Sequence, residues 1–146
     1  MDEGRLKAFL DGIPAGVETV FHRAFDFVES AEESLEVLVS HGVRRVLTSG
    51  LKPTVVDGAG QIRRLIEQAA GRIEILGGGG IRLENVRQVV EETGLTQVHA
   101  SCRATAQDRS PRLRHEIRFG LPELPPETVH RRTDASLVAC MRAALI

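Results

Sequence analysis

The chain has 146 residues, 42% apolar and 27% charged, with a net charge of −1, which suits one globular domain with a real core. The near-zero charge and the absence of Trp and Tyr argue against nucleic acid, single-stranded nucleic acid above all, and against an anionic membrane as partner. Two cysteines, Cys102 and Cys140, fit a reducing compartment better than a disulfide scaffold, no apolar run approaches a membrane span, and MDEGRLK does not read as a signal peptide, so a cytoplasmic location is expected.

Residues 5 to 10 read as the end of a short helix, stopped by Asp11-Gly12 and Pro14. Val17 to Phe21 is β-branched and apolar, a buried strand. Ser30 with Glu33 three residues later forms a capping box for a helix carrying Leu35, Leu38 and Val39 on one stripe, with Gly42 as its stop. Arg45 to Thr48 is the second strand. Gln61 to Ala70 is a helix with Ile62, Leu65, Ile66 and Ala69 inward, and Arg72 to Leu76 is the third strand. Leu83 to Glu92 is the next helix, with Leu83, Val86, Val89 and Val90 inward, and Thr96 to His99 is the fourth strand.

The strand ends fall near residues 22, 48, 76 and 99, a strand-then-helix rhythm of roughly 25 residues that marks a parallel α/β sheet. From about 104 to 132 the rhythm gives way to a long polar excursion holding Pro111, Pro122, Pro125 and Pro126, and Arg103 to Arg118 forms a basic cluster read as a solvated loop. Asp134 to Leu145 resumes as a helix with Leu137, Val138, Met141 and Leu145 on one stripe and Cys140 in the core. The chain is read as a single domain over 1–146. Successive βα units curl into an open sheet or a closed barrel of eight, and about 200 residues or more are needed for closure.

Parallel sheets gather their chemistry at the carboxyl ends of the strands. There the chain places His22, Arg23 and Asp26. Imidazole exchanges a proton near neutrality and the guanidinium fork suits carboxylate or phosphate oxygens, so the three are candidate catalytic residues; a structural Arg–Asp or His–Asp pair closing the loop is the alternative. Gly78, Gly79 and Gly80, with Thr48 and Ser49, are candidate anion-binding residues. Glycine lets backbone N–H groups turn toward an anion, and hydroxyls add donors; a tight turn and routine capping are the plainer readings. The run is not a Walker loop, which would end in Gly-Lys-Ser/Thr, nor a dinucleotide fingerprint, since the next strand closes on His99 rather than on an acid. His99 and Ser101, two apart, are pocket candidates. A thiolate at Cys102 with imidazole is a Cu(I) donor set, though two donors do not complete one. No G-x-S-x-G elbow, H-E-x-x-H helix or C-x-x-C pair is present.

TVFHRAFD (19–26), RRVLTSG (44–50), IRRLIEQAAGRIEILGGGGI (62–81) and QVHAS (97–101) together resemble the C-terminal half of the copper homeostasis protein CutC family. The resemblance runs from about Asp2 to Arg103. It implies a TIM-type (βα)8 barrel of which this chain supplies strands five to eight, places the glycine turn after strand seven, and makes copper the ion to consider. The family's copper-linked cysteines lie in the half not matched, and no metal role passes to Cys102. Three readings follow: a CutC-like protein of copper homeostasis; a barrel enzyme acting on a small anionic or phosphorylated substrate, with His22 as acid/base and Arg23 plus the glycine turn as clamp; and a truncated, inactive half barrel. Half a barrel leaves two sheet edges unpaired, so a homo-oligomer is expected.

Overall fold

The computed structural model describes residues 1–114, 116–118 and 126–145. The chain divides into two compact units, Met1–Ala100 and Ser101–Ile146, where the sequence is read as one domain.

The first unit opens with α1 (Glu3–Asp11), whose first turn is capped by the Asp2 carboxylate accepting from Arg5 N. β1 (Val20–Phe21) leads into a 3-10 turn over Arg23–Phe27. Then follow α2 (Ala31–Ser40), β2 (Arg45–Thr48), α3 (Ala59–Ala69), β3 (Glu74–Gly78), α4 (Val86–Thr93) and β4 (Val98–His99). The four strands form one sheet in the order β1-β2-β3-β4, every pair parallel. This is the α/β architecture with parallel strands that the 25-residue rhythm requires. Because consecutive strands are neighbours and parallel, all four carboxyl ends lie along one rim of the sheet.

The register assigns the two faces. Val46 pairs with Ile75 and Thr48 with Gly77, and these positions are buried with Leu35, Leu38, Ile62, Leu65, Val86 and Val89 from the helices. Arg45 pairs with Glu74 and Leu47 with Leu76 on the opposite, half-buried face. There Glu74 accepts from Arg44, Arg45 and Gln97, and the bonds from Gln97 and Arg45 hold its carboxyl below the usual range. The chain thus supplies a polar layer at the amino-terminal end of that face and a leucine layer above it.

Several element bounds differ from those read in the sequence, each for a local reason. β1 pairs only from Thr19 onward, whose carbonyl takes Arg44 and Arg45 N–H, and Val17 is exposed. β3 continues through Gly78 because Gly77 and Gly78 pair with Val98 and His99. α4 begins at Val86, not Leu83: the Asn85 amide accepts from Arg82 N and donates to Gly80 O, holding 80–85 as a turn and leaving Leu83 exposed.

In the second unit, β5 (Arg103–Gln107) and β6 (Val129–Thr133) form an antiparallel ribbon where an irregular excursion was expected, with a short 3-10 turn over Ser110–Leu113. Pro122 and Pro125 lie outside the described residues. Arg103, Arg109, Arg112 and Arg114 are exposed, as a solvated basic run should be. α5 (Ala135–Ala144) buries Met141, while Val138 and Leu145 are exposed. Cys140 is exposed rather than core, since the expected stripe has too little apolar surface to bury against within this small unit. Among the described residues, no helix is long and apolar enough to cross a membrane.

Leu65 is fully buried on α3. Leu65→Ala should cost about 2–5 kcal/mol, read as a lower urea midpoint with unchanged slope.

Candidate functional site

The site grows from one carboxylate. The 3-10 turn after β1 carries Asp26 back over the end of β2, where its side chain is only 5% exposed. Its Oδ1 accepts from Thr48 Oγ1 at 2.5 Å, Ser49 N at 3.0 Å and Leu51 N at 3.2 Å. Its Oδ2 accepts from Arg23 Nε at 2.7 Å and Ser49 Oγ at 2.9 Å. Burial pushes this carboxyl up, but the bonds from Thr48, Arg23 and Ser49 more than offset that and hold it below its ordinary value. A carboxylate with its lone pairs so fully engaged is an anchor, not a base. Of the two readings open for Asp26, the geometry favours the loop-closing one.

What Asp26 anchors is Arg23. The guanidinium donates from Nη2 to Ser49 Oγ at 2.5 Å and reaches Lys52 O at 3.5 Å. Nη1 makes no hydrogen bond among the described residues, and the Arg23 side chain stays 41% exposed. The edge of the fork holding Nε and Nη2 is fixed by the protein; the other nitrogen is presented beside the glycine turn. A Cβ on Gly79 would lie 3.0 Å from Arg23 Nη1 and 3.3 Å from Ser49 Cβ. Gly79 and Gly80, with φ of 102° and 80°, turn the chain away from β3 in a conformation that favours glycine. Val55 N donates to Gly79 O at 2.8 Å, tying the loop after β2 to that turn.

The remaining candidates sit differently from their expected roles. Thr48 and Ser49 are fully buried, and their hydroxyls serve Asp26, Gly50 N and Lys52 O. They brace the site and do not face a ligand. Gly78 ends β3, and a Cβ there would meet Leu47 Cδ1 at 2.7 Å and His99 Cβ at 3.3 Å. Its glycine serves packing within the sheet, and the turn proper is Gly79-Gly80. His22 is exposed and caps the 3-10 turn, its Nδ1 accepting from Ala24 N at 3.0 Å. His99 is exposed on β4. With β1 and β4 three strand spacings apart, roughly 14 Å at ~4.8 Å each, the two imidazoles are not neighbours. Ser101 and Cys102 belong to the second unit, where Ser101 O accepts from Thr133 Oγ1 and Cys102 O from Asp134 N.

Sequence reasoning missed Gly58. A Cβ there would fall 1.9 Å from Ser49 O, and one on Gly50 2.4 Å from Gly58 O. The start of α3 therefore lies backbone-on-backbone against the site loop. A glycine at a helix start in a βα unit was the available signal. An apolar cavity of about 170 Å3, lined by residues such as Ile66, Ile73, Ile75 and Thr96, lies at the amino ends of β3 and β4, away from this site.

The family model of the CutC family matches residues 2–104. The chain belongs to the CutC family. A family protein CutC of Rhizobium meliloti is 38% identical over 143 residues, covering 98% of this chain and 56% of the relative. The human copper homeostasis protein cutC homolog is 47% identical over 85 residues, covering 58% of this chain and 31% of its own length. A crystal structure of CutC from Streptococcus agalactiae superposes with a TM-score of 0.63 at 33% identity, over 68% of this chain and 49% of that one. The chain spans about half the length of the CutC relatives it matches from end to end.

Because the Asp26 carboxyl is depressed in the fold, the unfolded chain takes up its proton first as pH falls. Its stabilising contribution is complete above the ordinary carboxylate value and is lost as pH drops through the depressed one. Asp26→Asn should cost about 2 kcal/mol at pH 7, and the gap from the parent should narrow below about pH 4 in urea denaturation across pH.

Proposed function

We propose that this chain acts in copper homeostasis, as the name of its human relative states for that protein, and that its sheet is the part of a closed (βα)8 barrel formed by strands five to eight. The family match over residues 2–104 carries the first statement. Four parallel neighbours with both edge strands unpaired, in a chain of half its relatives' length, support the second.

The described residues of this chain do not by themselves fit a copper centre. Among the described residues no three His, Cys, Asp or Glu side chains come together as a metal set. His22 and His99 stand on opposite edge strands, and the Nδ1 of His22 is already engaged. Copper as cargo would need donors beyond these. The role is therefore tested in cells: loss of the gene should lower copper tolerance, and re-expression should restore it. Unchanged tolerance in the deletion strain would remove the reading.

The sheet edges carry a related proposal. β1 and β4 each offer a parallel edge with only two residues paired to the sheet, and a second copy related by a two-fold parallel to the strands would present β4 to β1 in the parallel sense. Light scattering on the purified chain should then give a dimer mass; a monomer with full secondary structure would contradict it.

A further inference from the structure

We propose that Arg23 and the turn Gly79-Gly80-Ile81 form a binding site for the phosphoryl group of a small ligand. The proposal goes beyond the copper reading and does not depend on it.

Three observations meet at the end of β3. First, the Arg23 guanidinium is oriented before any ligand arrives: Asp26 fixes Nε, Ser49 fixes Nη2, and Nη1 is left as an unused donor beside Gly79. Preorganised guanidinium donors bind oxyanions without the entropy cost of ordering a free side chain. Second, neither the Gly80 N–H nor the Ile81 N–H meets a protein acceptor among the described residues, and Gly80 is exposed, so the turn offers backbone donors that a ligand can reach. Third, the clearance is specific. Gly79 leaves room for the guanidinium, and Gly80 leaves room for Thr54, whose Cβ would lie 3.3 Å from an added Cβ.

The donors come from two directions, a guanidinium on one side and chain amides on the other. A tetrahedral oxyanion has three terminal oxygens that do not lie in one plane and can accept from both, whereas the two oxygens of a carboxylate lie in one plane and meet donors from one direction. Of the acids near the turn, Asp26 is consumed by its own donors, and Asp57 accepts from Thr54 Oγ1 and faces solvent. The site therefore favours a phosphate dianion, either free or as a monoester.

Calorimetric titration of the purified chain with inorganic phosphate, and separately with glycerol phosphate, tests this. Saturable binding is expected. Tighter binding of glycerol phosphate identifies an ester as the occupant, and equal or tighter binding of inorganic phosphate identifies the free ion. Sulfate should compete and acetate should not. Arg23→Gln should weaken binding at least tenfold, and Gly79→Ala, which pushes the guanidinium aside without changing charge, should do the same. Arg23→Lys, which keeps the charge but loses the fork, should retain part of the affinity. Circular dichroism melts identify which variants fold. No saturable binding to the folded parent chain, or undiminished binding in a folded Arg23→Gln, overturns the proposal.

Discussion

The rim of this sheet is organised by one buried carboxylate. Taking Asp26 out of water would cost several kcal/mol were it unpaired, so the fold retains it as an ion only because donors from Arg23, Thr48, Ser49 and Leu51 surround it. Those donors come from two successive strand ends. The carboxylate therefore fastens the turn after β1 to the loop after β2, and makes the order of the rim a consequence of satisfying one charge. Removing it would leave the buried Thr48 hydroxyl and the Ser49 and Leu51 amides without this acceptor, and the Nε of Arg23 without its partner.

The glycines around that carboxylate divide into distinct tasks. Gly50 and Gly58 let the β2 loop and the start of α3 touch backbone to backbone. Gly77 leaves room for Leu95, whose Cδ1 would lie 2.2 Å from an added Cβ, and so lets the segment between α4 and β4 pack close behind β3. Gly78 does the same for Leu47 and His99 on the other face. Within the four-glycine run, only Gly79 and Gly80 need the left-handed backbone. A four-glycine run thus reads as one motif in sequence but acts as two: a strand end that must be thin, and a turn that must reverse.

This division explains what the sequence made visible. Strand β2 was placed to the residue, and the capping Ser30 accepts from Glu33 N as expected, because these depend on local pattern. The family resemblance was carried by FHRAFD, LTSG and the glycine run, all on the rim. The roles of Thr48 and Ser49 were not legible. Whether a hydroxyl faces a ligand or braces a carboxylate depends on a contact 22 or 23 residues distant, which no local spacing encodes. The ribbon of β5 and β6 was missed because Arg103–Gln107 and Val129–Thr133 are mostly polar and pair across a long gap, so neither alternation nor a turn signal links them. Cys140 fell outside the core because helical periodicity identifies a stripe, not what covers it.

The half-length of the chain bears unequally on its candidate roles. The Arg23 site draws on the turn after the edge strand β1 and on the loops after β2 and β3, and Asp26 ties that turn inward to the loop after β2. Its geometry is closed by bonds within residues 23–81. The imidazoles are in the opposite position. His22 follows the edge strand β1 and His99 ends the edge strand β4, so any centre using either one must take its other donors from whatever lies beyond that edge. The polar layer of Arg45, Glu74 and Gln97 sharpens the contrast. It already neutralises itself within β2, β3 and the approach to β4, so the charged part of that face makes no electrostatic demand on a partner, while Val20, Leu47 and Leu76 present apolar surface to one. A strand added to this sheet would therefore be selected by shape and strand pairing, and the groups of the proposed anion site all lie within residues 23–81.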